Sequence, residues 1–303
     1  MKIENLEILM VSTHTIDEII SSNHQDLEPI PTDTKPVLKS LPDVKAVLFD
    51  IYGTLLISKA GDINYEDAQE GEDIIQKALG KVGISTTMST QDLNSLYTKL
   101  LADHQKARRK EGIEFPEVDI RAVWRDFVKH ISGVYPSQDD AQQLAVWFEV
   151  WTNPTDLMPG AKDVLQNLSV SSLKTGLISN AQFYTRHLLE GYLEKTLEDL
   201  SIPSYLTAFS YEFLEGKPGK LMYTSCASYL QKQDSLQPNE VLFVGNDCLK
   251  DVYPAHSVGF KTALFAGDAR SLRLRKEDPR CRNLKPDLVI TELPQLLECL
   301  PQV

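Results

Sequence analysis

Short apolar runs recur along the chain with helical patterns between them, and this alternation limits the fold more than any other feature of the sequence. The first run occupies 44–50, and the later runs occupy 175–179, 204–210, 240–245, 261–267 and 287–291. Short apolar runs that end at turn residues are typical of strands buried on both faces of a parallel sheet. Most of the runs are separated by helical patterns, such as those at 181–193 and 220–230. Strands that alternate with helices predict βαβ units, so we expect an α/β fold with a doubly wound parallel sheet.

A long segment at 62–152 interrupts this alternation, because its apolar residues recur only at helical spacing. The amphipathic stretches lie near 72–82, 90–110, 120–132 and 139–151. The chain then returns to the sheet through T-N-P-T-D-L-M-P-G, where the prolines and the glycine predict a hinge. We therefore predict an α/β core formed by 41–61 and 153–303, with an α-helical domain at 62–152 inserted between the first and second strands.

The remaining segment, 1–40, is predicted to be an N-terminal extension, and its proline-rich part is predicted to be a linker or a surface wrap.

The 303 residues carry a net charge of −12, which argues against broad binding to the phosphate backbone of a nucleic acid. The sequence has neither a signal-peptide layout nor an apolar run of ~20 residues, so we expect a soluble cytoplasmic protein without a membrane partner. The oligomeric state is left open by the sequence.

Polar and charged residues follow the ends of the predicted strands in a fixed order. They are Asp50, the pair Ser179 and Asn180, then Lys217, and finally Asp247 and Asp251. Ligands of open α/β sheets bind outside the carboxyl ends of the strands, near the point where the strand order reverses. Any one of these residues alone has an ordinary explanation, such as a helix cap. Together they predict a single site at one edge of the sheet.

This ordered set resembles the four sequence motifs of the haloacid dehalogenase-like hydrolases, over about 44–295. The correspondence is Asp50 with Gly53 and Thr54 for motif one, Ser179 for motif two, Lys217 for motif three, and Asp247 with Asp251 for motif four. The segment 62–152 resembles the helical cap that the family places between motifs one and two. The resemblance therefore implies a hydrolase.

The resemblance implies that Asp50 is a covalent nucleophile, which divides hydrolysis into two displacements. A small anionic substrate would repel this carboxylate, and a Mg²⁺ ion held by hard oxygen ligands would offset the repulsion. The implied ligands are the Asp50 carboxylate, the backbone carbonyl of Tyr52 and Asp247, while Asp251 would support the metal-bound waters or Lys217. Lys217 would stabilise the nucleophile and the transferring group as a point charge.

Hydrogen bonds to the substrate are expected from Ser179, Thr54 and Asn180, which the resemblance places beside the phosphate or its equivalent. Substrate identity would be set mainly by the cap. A late segment, G-D-A-R-S-L-R-L-R-K-E-D, follows the fifth apolar run, and its three arginines are predicted to lie at the surface, with a place at the border of the site as the alternative.

Motif one departs from the phosphatase pattern at Tyr52, where the family's phosphatases have a second aspartate that acts as general acid and base. A tyrosine has an unperturbed pKa near ~10 and is a poor general base at neutral pH. Tyrosine at this place is the pattern of the family's 2-haloacid dehalogenases, whose leaving halide needs no proton. The acidic pair Asp247 and Asp251 instead resembles motif four of magnesium phosphatases.

Three hypotheses follow from this mixture. The first is a Mg²⁺-dependent phosphohydrolase that acts on a small phosphorylated metabolite through an aspartyl phosphate and tolerates Tyr52. The second is a 2-haloacid dehalogenase-type hydrolase of a carbon–halogen or similar bond. The third is a binding or regulatory protein that keeps the fold and the metal but turns over little.

Overall fold

A six-stranded parallel sheet forms the centre of the protein, whose computed structural model describes residues 14–60 and 73–301. The strands are β1 (Ala46–Phe49), β2 (Leu56–Ser58), β3 (Thr155–Leu157), β4 (Lys174–Ser179), β5 (Thr207–Phe209), β6 (Val241–Gly245), β7 (Lys261–Phe265) and β8 (Leu288–Ile290). β2 and β3 form a separate two-stranded ribbon, and the other six strands make up the sheet in the order β5-β4-β1-β6-β7-β8. The predicted α/β fold with a doubly wound parallel sheet is confirmed.

The first strand lies in the middle of the sheet, and this position creates the point where the strand order reverses. Ala46 pairs in parallel register with Lys174 of β4 on one side and with Val241 of β6 on the other. Successive side chains of a strand point to opposite faces. Accordingly, Val47 and Phe49 pack into one hydrophobic cluster, while Ala46 and Leu48 pack into a second one. Both faces of β1 are therefore covered, as its continuous apolar run predicts.

Helices cover the two faces of the sheet and form the inserted segment. They are α1 (Ile16–Ser22), α2 (Ile74–Lys81), α3 (Thr90–Lys110), α4 (Ile120–Ser132), α5 (Gln138–Thr152), α6 (Ala161–Ser169), α7 (Thr185–Leu193), α8 (Ser210–Phe213), α9 (Leu221–Asp234), α10 (Tyr253–Ser257) and α11 (Gln295–Cys299). The larger cluster joins one face of the sheet to α1, to α6, to α7 and to the inserted helices. The smaller cluster packs α9 on the opposite face through Met222 and Tyr223.

The insert consists of α2 to α5 within its described part, and the bounds of α3 and α4 coincide with the predicted stretches. Its interior is aromatic: the ring of Tyr97 lies 5.0 Å from the rings of Trp124 and Phe148, measured between centroids. The beginning of the predicted segment, 62–72, lies outside the described residues. That this helical segment moves as a separate cap stays a prediction.

A short antiparallel ribbon joins the two ends of the insert to the core. Leu56 of β2 pairs with Leu157 of β3, and Ser58 pairs with Thr155. The sequence predicts only a hinge in this region, so the ribbon is a difference from the prediction. Its strands are three residues each, which is too short for a period-2 pattern to be recognised.

The described part of the N-terminal extension lies along the core. Helix α1 packs against α5 and α7. Beyond it, the backbone N–H of Leu27 donates to Asp156 and that of Ile30 donates to Asp268. Val37 forms an antiparallel bridge with Val289 of β8. These contacts match a surface wrap. Among the described helices, none is both long and apolar enough to cross a membrane.

Candidate active site

Three of the side chains singled out in the sequence lie at the carboxyl ends of three neighbouring strands. Asp50 follows β1, Ser179 ends β4, and Asp247 lies two residues beyond the end of β6. Because β1 is hydrogen-bonded to both β4 and β6, these side chains meet at one edge of the sheet. Lys217 reaches the same edge from the loop between α8 and α9. The structure therefore brings the four motif positions together.

The carboxylate of Asp50 is buried and held by two donors. Lys217 Nζ lies 2.5 Å from Asp50 Oδ1, and Ser179 Oγ donates to the same oxygen at 3.0 Å. The Lys217 ammonium also contacts Asp251 Oδ1 at 2.6 Å. Burial by itself would lower the pKa of Lys217, but the carboxylates of Asp251 and Asp50 outweigh it and raise that pKa. Lys217 is therefore a fixed positive charge between two carboxylates, and a buried charge needs such partners.

Asp251 lies in a short π-helix, Cys248–Val252, and Asp247 is the N-cap residue of that helix. Asp247 Oδ1 accepts hydrogen bonds from the backbone N–H groups of Leu249 at 2.8 Å and Lys250 at 3.2 Å, while Asp251 Oδ2 accepts from the N–H of Asp247. Burial is the largest influence on Asp251 and raises its pKa to about 7. The local turn thus positions Asp251 against Lys217 and Asp247 at the same edge of the sheet.

A cavity of about 180 Å³ lies at this edge of the sheet. The core contributes the predicted residues Asp50, Tyr52, Ser179, Asn180, Lys217, Asp247 and Asp251. The insert contributes Gln105 of α3 and, from the loop before α4, Pro116 and Glu117. The cavity therefore has one wall from the sheet and one from the helical insert.

A family model described as a haloacid dehalogenase-like hydrolase matches residues 44–259 of the chain. The chain belongs to this family. The predicted membership and the prediction of a hydrolase are thereby confirmed. The matched region ends before the late arginine-rich segment.

Two curated relatives and one solved structure illustrate the family relationship. An uncharacterized hydrolase of Schizosaccharomyces pombe is 25% identical over 226 residues, which is 73% of this chain and 90% of the relative. A glyceraldehyde 3-phosphate phosphatase of Pyrococcus furiosus is 28% identical over 144 residues, which is 47% of this chain and 54% of the relative. The structure of a 2-haloacid dehalogenase from Pseudomonas syringae pv. tomato superposes with a TM-score of 0.53 at 18% identity, over 84% of this chain and 97% of the other. This last likeness shows the fold alone.

Tyr52, the departure from the phosphatase pattern, is hydrogen-bonded within the core and is not available as a general base. Its hydroxyl lies 2.9 Å from the hydroxyl of Thr185 at the start of α7. Burial raises the pKa of Tyr52 well above its ordinary value, and the nearby Glu149 carboxylate adds to the shift. A phenol with such a pKa stays protonated at neutral pH and cannot serve as a general base.

The predicted metal ligands supply the chemistry that Mg²⁺ requires. The carboxylates of Asp50 and Asp247 both border the cavity, and carboxylate and carbonyl oxygens are the ligands that Mg²⁺ prefers. In the structure, however, Asp247 Oδ2 is 2.7 Å from Arg275 Nη2 and 3.2 Å from Arg275 Nε. The donor set fits the ion, and the ion would have to share or take over Asp247 from this guanidinium.

Two of the predicted substrate-binding residues have structural partners of their own. Thr54 is fully buried, and its hydroxyl lies 3.3 Å from Asp50 Oδ2 and 3.1 Å from Asn246 Oδ1. The Thr54 side chain contacts Asp50 and does not border the cavity, which differs from the predicted contact with substrate. Asn180 does border the cavity, but its side-chain oxygen accepts from the backbone N–H of Lys217 at 2.7 Å.

The sequence did not assign a role to Glu117, and it placed the late arginines at the surface. Arg273 borders the cavity and Arg275 pairs with Asp247, so the structure places these two residues at the border of the site, which is the alternative that the sequence left open. A signal for them existed in the sequence: their segment follows β7, the neighbour of β6, and so begins at the same edge of the sheet. For Glu117 no comparable signal exists, because it comes from a loop between two helices of the insert.

Proposed function

We propose that this hydrolase is a Mg²⁺-dependent phosphohydrolase that acts on a small phosphorylated metabolite through an aspartyl phosphate at Asp50. The observation that carries the proposal is the placement of Asp247 and Asp251 beside Lys217 and Asp50. The carboxylates of Asp50 and Asp251 share the single ammonium of Lys217, and Asp247 borders the same cavity, so a divalent cation fits this group of carboxylates. A relative named as a phosphatase supports the same reading.

Hydrolysis at this site would then proceed through two successive displacements at phosphorus. The Asp50 carboxylate attacks phosphorus, the phosphorus–oxygen bond to the leaving group breaks, and the leaving oxygen takes up a proton. Water next attacks the phosphorus of the aspartyl phosphate and returns the Asp50 carboxylate. Lys217 and the hydroxyl of Ser179 stabilise the charge on the transferring group. When bound, Mg²⁺ would supply a Lewis acid that polarises a phosphoryl oxygen.

The size and charge of the cavity favour a small anionic substrate. A volume of about 180 Å³ lies below the range of roughly 300–1,000 Å³ that is usual for drug-sized ligands. Lys250 and Arg273 add positive charge to its lining beside Lys217. These cations would attract a phosphate group, while the small volume would exclude large leaving groups.

A second candidate, hydrolysis of a carbon–halogen bond as in 2-haloacid dehalogenases, is favoured by one observation. Tyr52 remains protonated, and halide departure requires no proton donor at that position. The acidic pair Asp247 and Asp251 opposes it, because the resemblance associates that pair with metal-dependent phosphatases. A third candidate is a metal-binding regulatory protein with little turnover.

One panel of assays separates these candidates. The purified protein and its Asp50→Asn variant are tested on phosphate esters, acyl phosphates and 2-haloacids, each with Mg²⁺ and with EDTA. We expect phosphate release that requires Mg²⁺ and is lost in the Asp50→Asn variant, while Asp278→Asn, a change at an exposed ion pair, keeps full activity. Halide release in EDTA would replace the proposal with a dehalogenase. Mg²⁺ binding without turnover would favour the regulatory protein.

A further inference from the structure

The family's usual acid–base aspartate is absent, and Tyr52 cannot act as the base of the second displacement, so the proposed phosphohydrolase needs an acid–base group from elsewhere. Four carboxyl groups border the cavity: Asp50, Glu117, Asp247 and Asp251. Asp50 and Asp251 are ion-paired with Lys217, and Asp247 is ion-paired with Arg275. Among these four carboxyl groups, only Glu117 accepts its hydrogen bonds from neutral donors rather than from a paired cation.

The backbone of Glu117 is fixed from both sides, although it lies in a loop of the insert. On one side, its N–H donates to the carbonyl of Leu214 at 3.1 Å, and the N–H of Gly216 donates to the carbonyl of Phe115 at 2.8 Å. This pairing ends one residue before Lys217. On the other side, the Gln182 amide donates to the carbonyl of Val118 at 2.8 Å. The loop that carries Glu117 is thus hydrogen-bonded directly to the loops that follow the strands and carry the other residues of the site.

The carboxyl group of Glu117 is oriented by two hydrogen bonds. Ser210 Oγ lies 3.0 Å from Glu117 Oε2, and the N–H of Val118 donates to Glu117 Oε1 at 2.8 Å. Ser210 in turn accepts from the N–H of Ala181, two residues after Ser179. Burial raises the pKa of Glu117, although these donors and the charge of Lys250 oppose the shift. A carboxylic acid in such surroundings keeps its proton more readily than an exposed glutamate.

We propose that Glu117 is the general acid and base of this enzyme, an inference that rests on the proposed phosphohydrolase function. In the first displacement, the carboxyl proton of Glu117 passes to the leaving oxygen as its bond to phosphorus breaks. In the second, the Glu117 carboxylate takes a proton from the attacking water. The carboxyl group is thereby restored to its starting form, and the sum is hydrolysis of the phosphate ester. An acid supplied by the insert would also make proton transfer depend on the insert being in place.

The test compares Glu117→Gln with wild type on an aryl phosphate, whose leaving group needs no proton, and on an alkyl phosphate, whose leaving group does. We expect kcat of Glu117→Gln to fall by roughly 10²–10⁴-fold on the alkyl phosphate. On the aryl phosphate, the variant should release about one equivalent of the phenol per active site in a rapid burst, followed by slow turnover, because only the second displacement then lacks its base. Rapid-quench measurements of the phenol and of the phosphoenzyme record both phases.

Glu114→Gln is the matched control, since Glu114 is an exposed glutamate in the same loop; its kinetics should equal those of wild type. The oxygen of glutamine can accept from the N–H of Val118 and its amide nitrogen can donate to Ser210 Oγ, so a merely structural role of Glu117 predicts small and equal changes on both substrates without a burst. That result, in a folded variant, would overturn the proposal. Absence of phosphate release by the wild-type enzyme on every substrate would instead refute the proposed function itself.

Discussion

The ion pair between Arg275 and Asp247 leads to a prediction about metal affinity. Asp247 is an expected Mg²⁺ ligand, yet its carboxylate is engaged by the Arg275 guanidinium through two nitrogen atoms, at 2.7 and 3.2 Å from Oδ2. An ion that binds Asp247 must weaken or break these contacts. Replacing Arg275 by glutamine removes the competing charge while keeping most of the side-chain stem. We therefore expect Arg275→Gln to bind Mg²⁺ more tightly than wild type.

The size of the effect follows from the geometry. A hydrogen bond to a charged group contributes about 1.5–3 kcal/mol when it is well shielded from water. The Arg275 side chain is 30% exposed and that of Asp247 is 7% exposed, so solvent screening reduces the contribution to about 1 kcal/mol. Since ~1.4 kcal/mol corresponds to a tenfold change in Kd, the dissociation constant should fall by a factor of about five.

Isothermal titration calorimetry with MgCl₂ measures this directly and does not depend on turnover. Arg280→Gln is the control, because Arg280 forms a similar pair with Asp278 at 2.8 Å but at the surface, and its Kd should equal that of wild type. Equal Mg²⁺ affinity of Arg275→Gln and wild type would show that the guanidinium does not compete with the ion. Weaker binding by the variant would show that Arg275 supports the metal site, which is the opposite of our reasoning.

Two further substitutions test how the site is held together. Lys217→Met leaves Asp50 and Asp251 as buried carboxylates without an ion-pair partner. The free energy of unfolding in urea should therefore fall by about 3–5 kcal/mol, and kcat should fall by at least about 10²-fold. A folded variant with near-normal kcat would contradict the assigned role. Gly53 has φ of +82°, and a Cβ there would lie 2.6 Å from Ser271 Cβ, so Gly53→Ala should lower the free energy of unfolding by about 1–3 kcal/mol. Gly80→Ala, where the added Cβ meets open space in α2, should instead raise it by about 0.5–1 kcal/mol; equal effects of the two changes would refute the steric argument.

Much of the core could be predicted because local pattern and tertiary environment agree there. The apolar run of β1 is buried on both faces, so its composition alone indicates a central parallel strand. The bounds of α3 and α4 follow from amphipathic spacing and from their N-caps, Ser89 and Asp119, whose side chains accept backbone N–H bonds. The β2–β3 ribbon has no such local signal, since it depends on pairing between segments about a hundred residues apart.

The same distinction explains what could be predicted of the site. Asp50, Ser179 and Asp247 each end or follow a strand, so the topology of a parallel sheet is enough to bring them together. Glu117 and Arg275 reach the site through loop contacts instead. Glu117 depends on the pairing of 115–117 with 214–216, and Arg275 depends on the path of the chain after β7. The only signal for Arg275 is that its segment follows a strand of the sheet, and the path of Glu117 has neither a periodicity nor a motif that a single sequence reveals.

The residues that sequence reasoning missed alter the charge balance of the cavity and with it the chemistry that we expect. Arg275 pairs with Asp247, and Lys217 is shared between Asp50 and Asp251, while Lys250 and Arg273 also border the cavity. A phosphate dianion that enters with one Mg²⁺ adds no net charge to this lining, whereas either ion alone would change its charge by two units. We therefore expect Mg²⁺ and the phosphate group to bind as a pair.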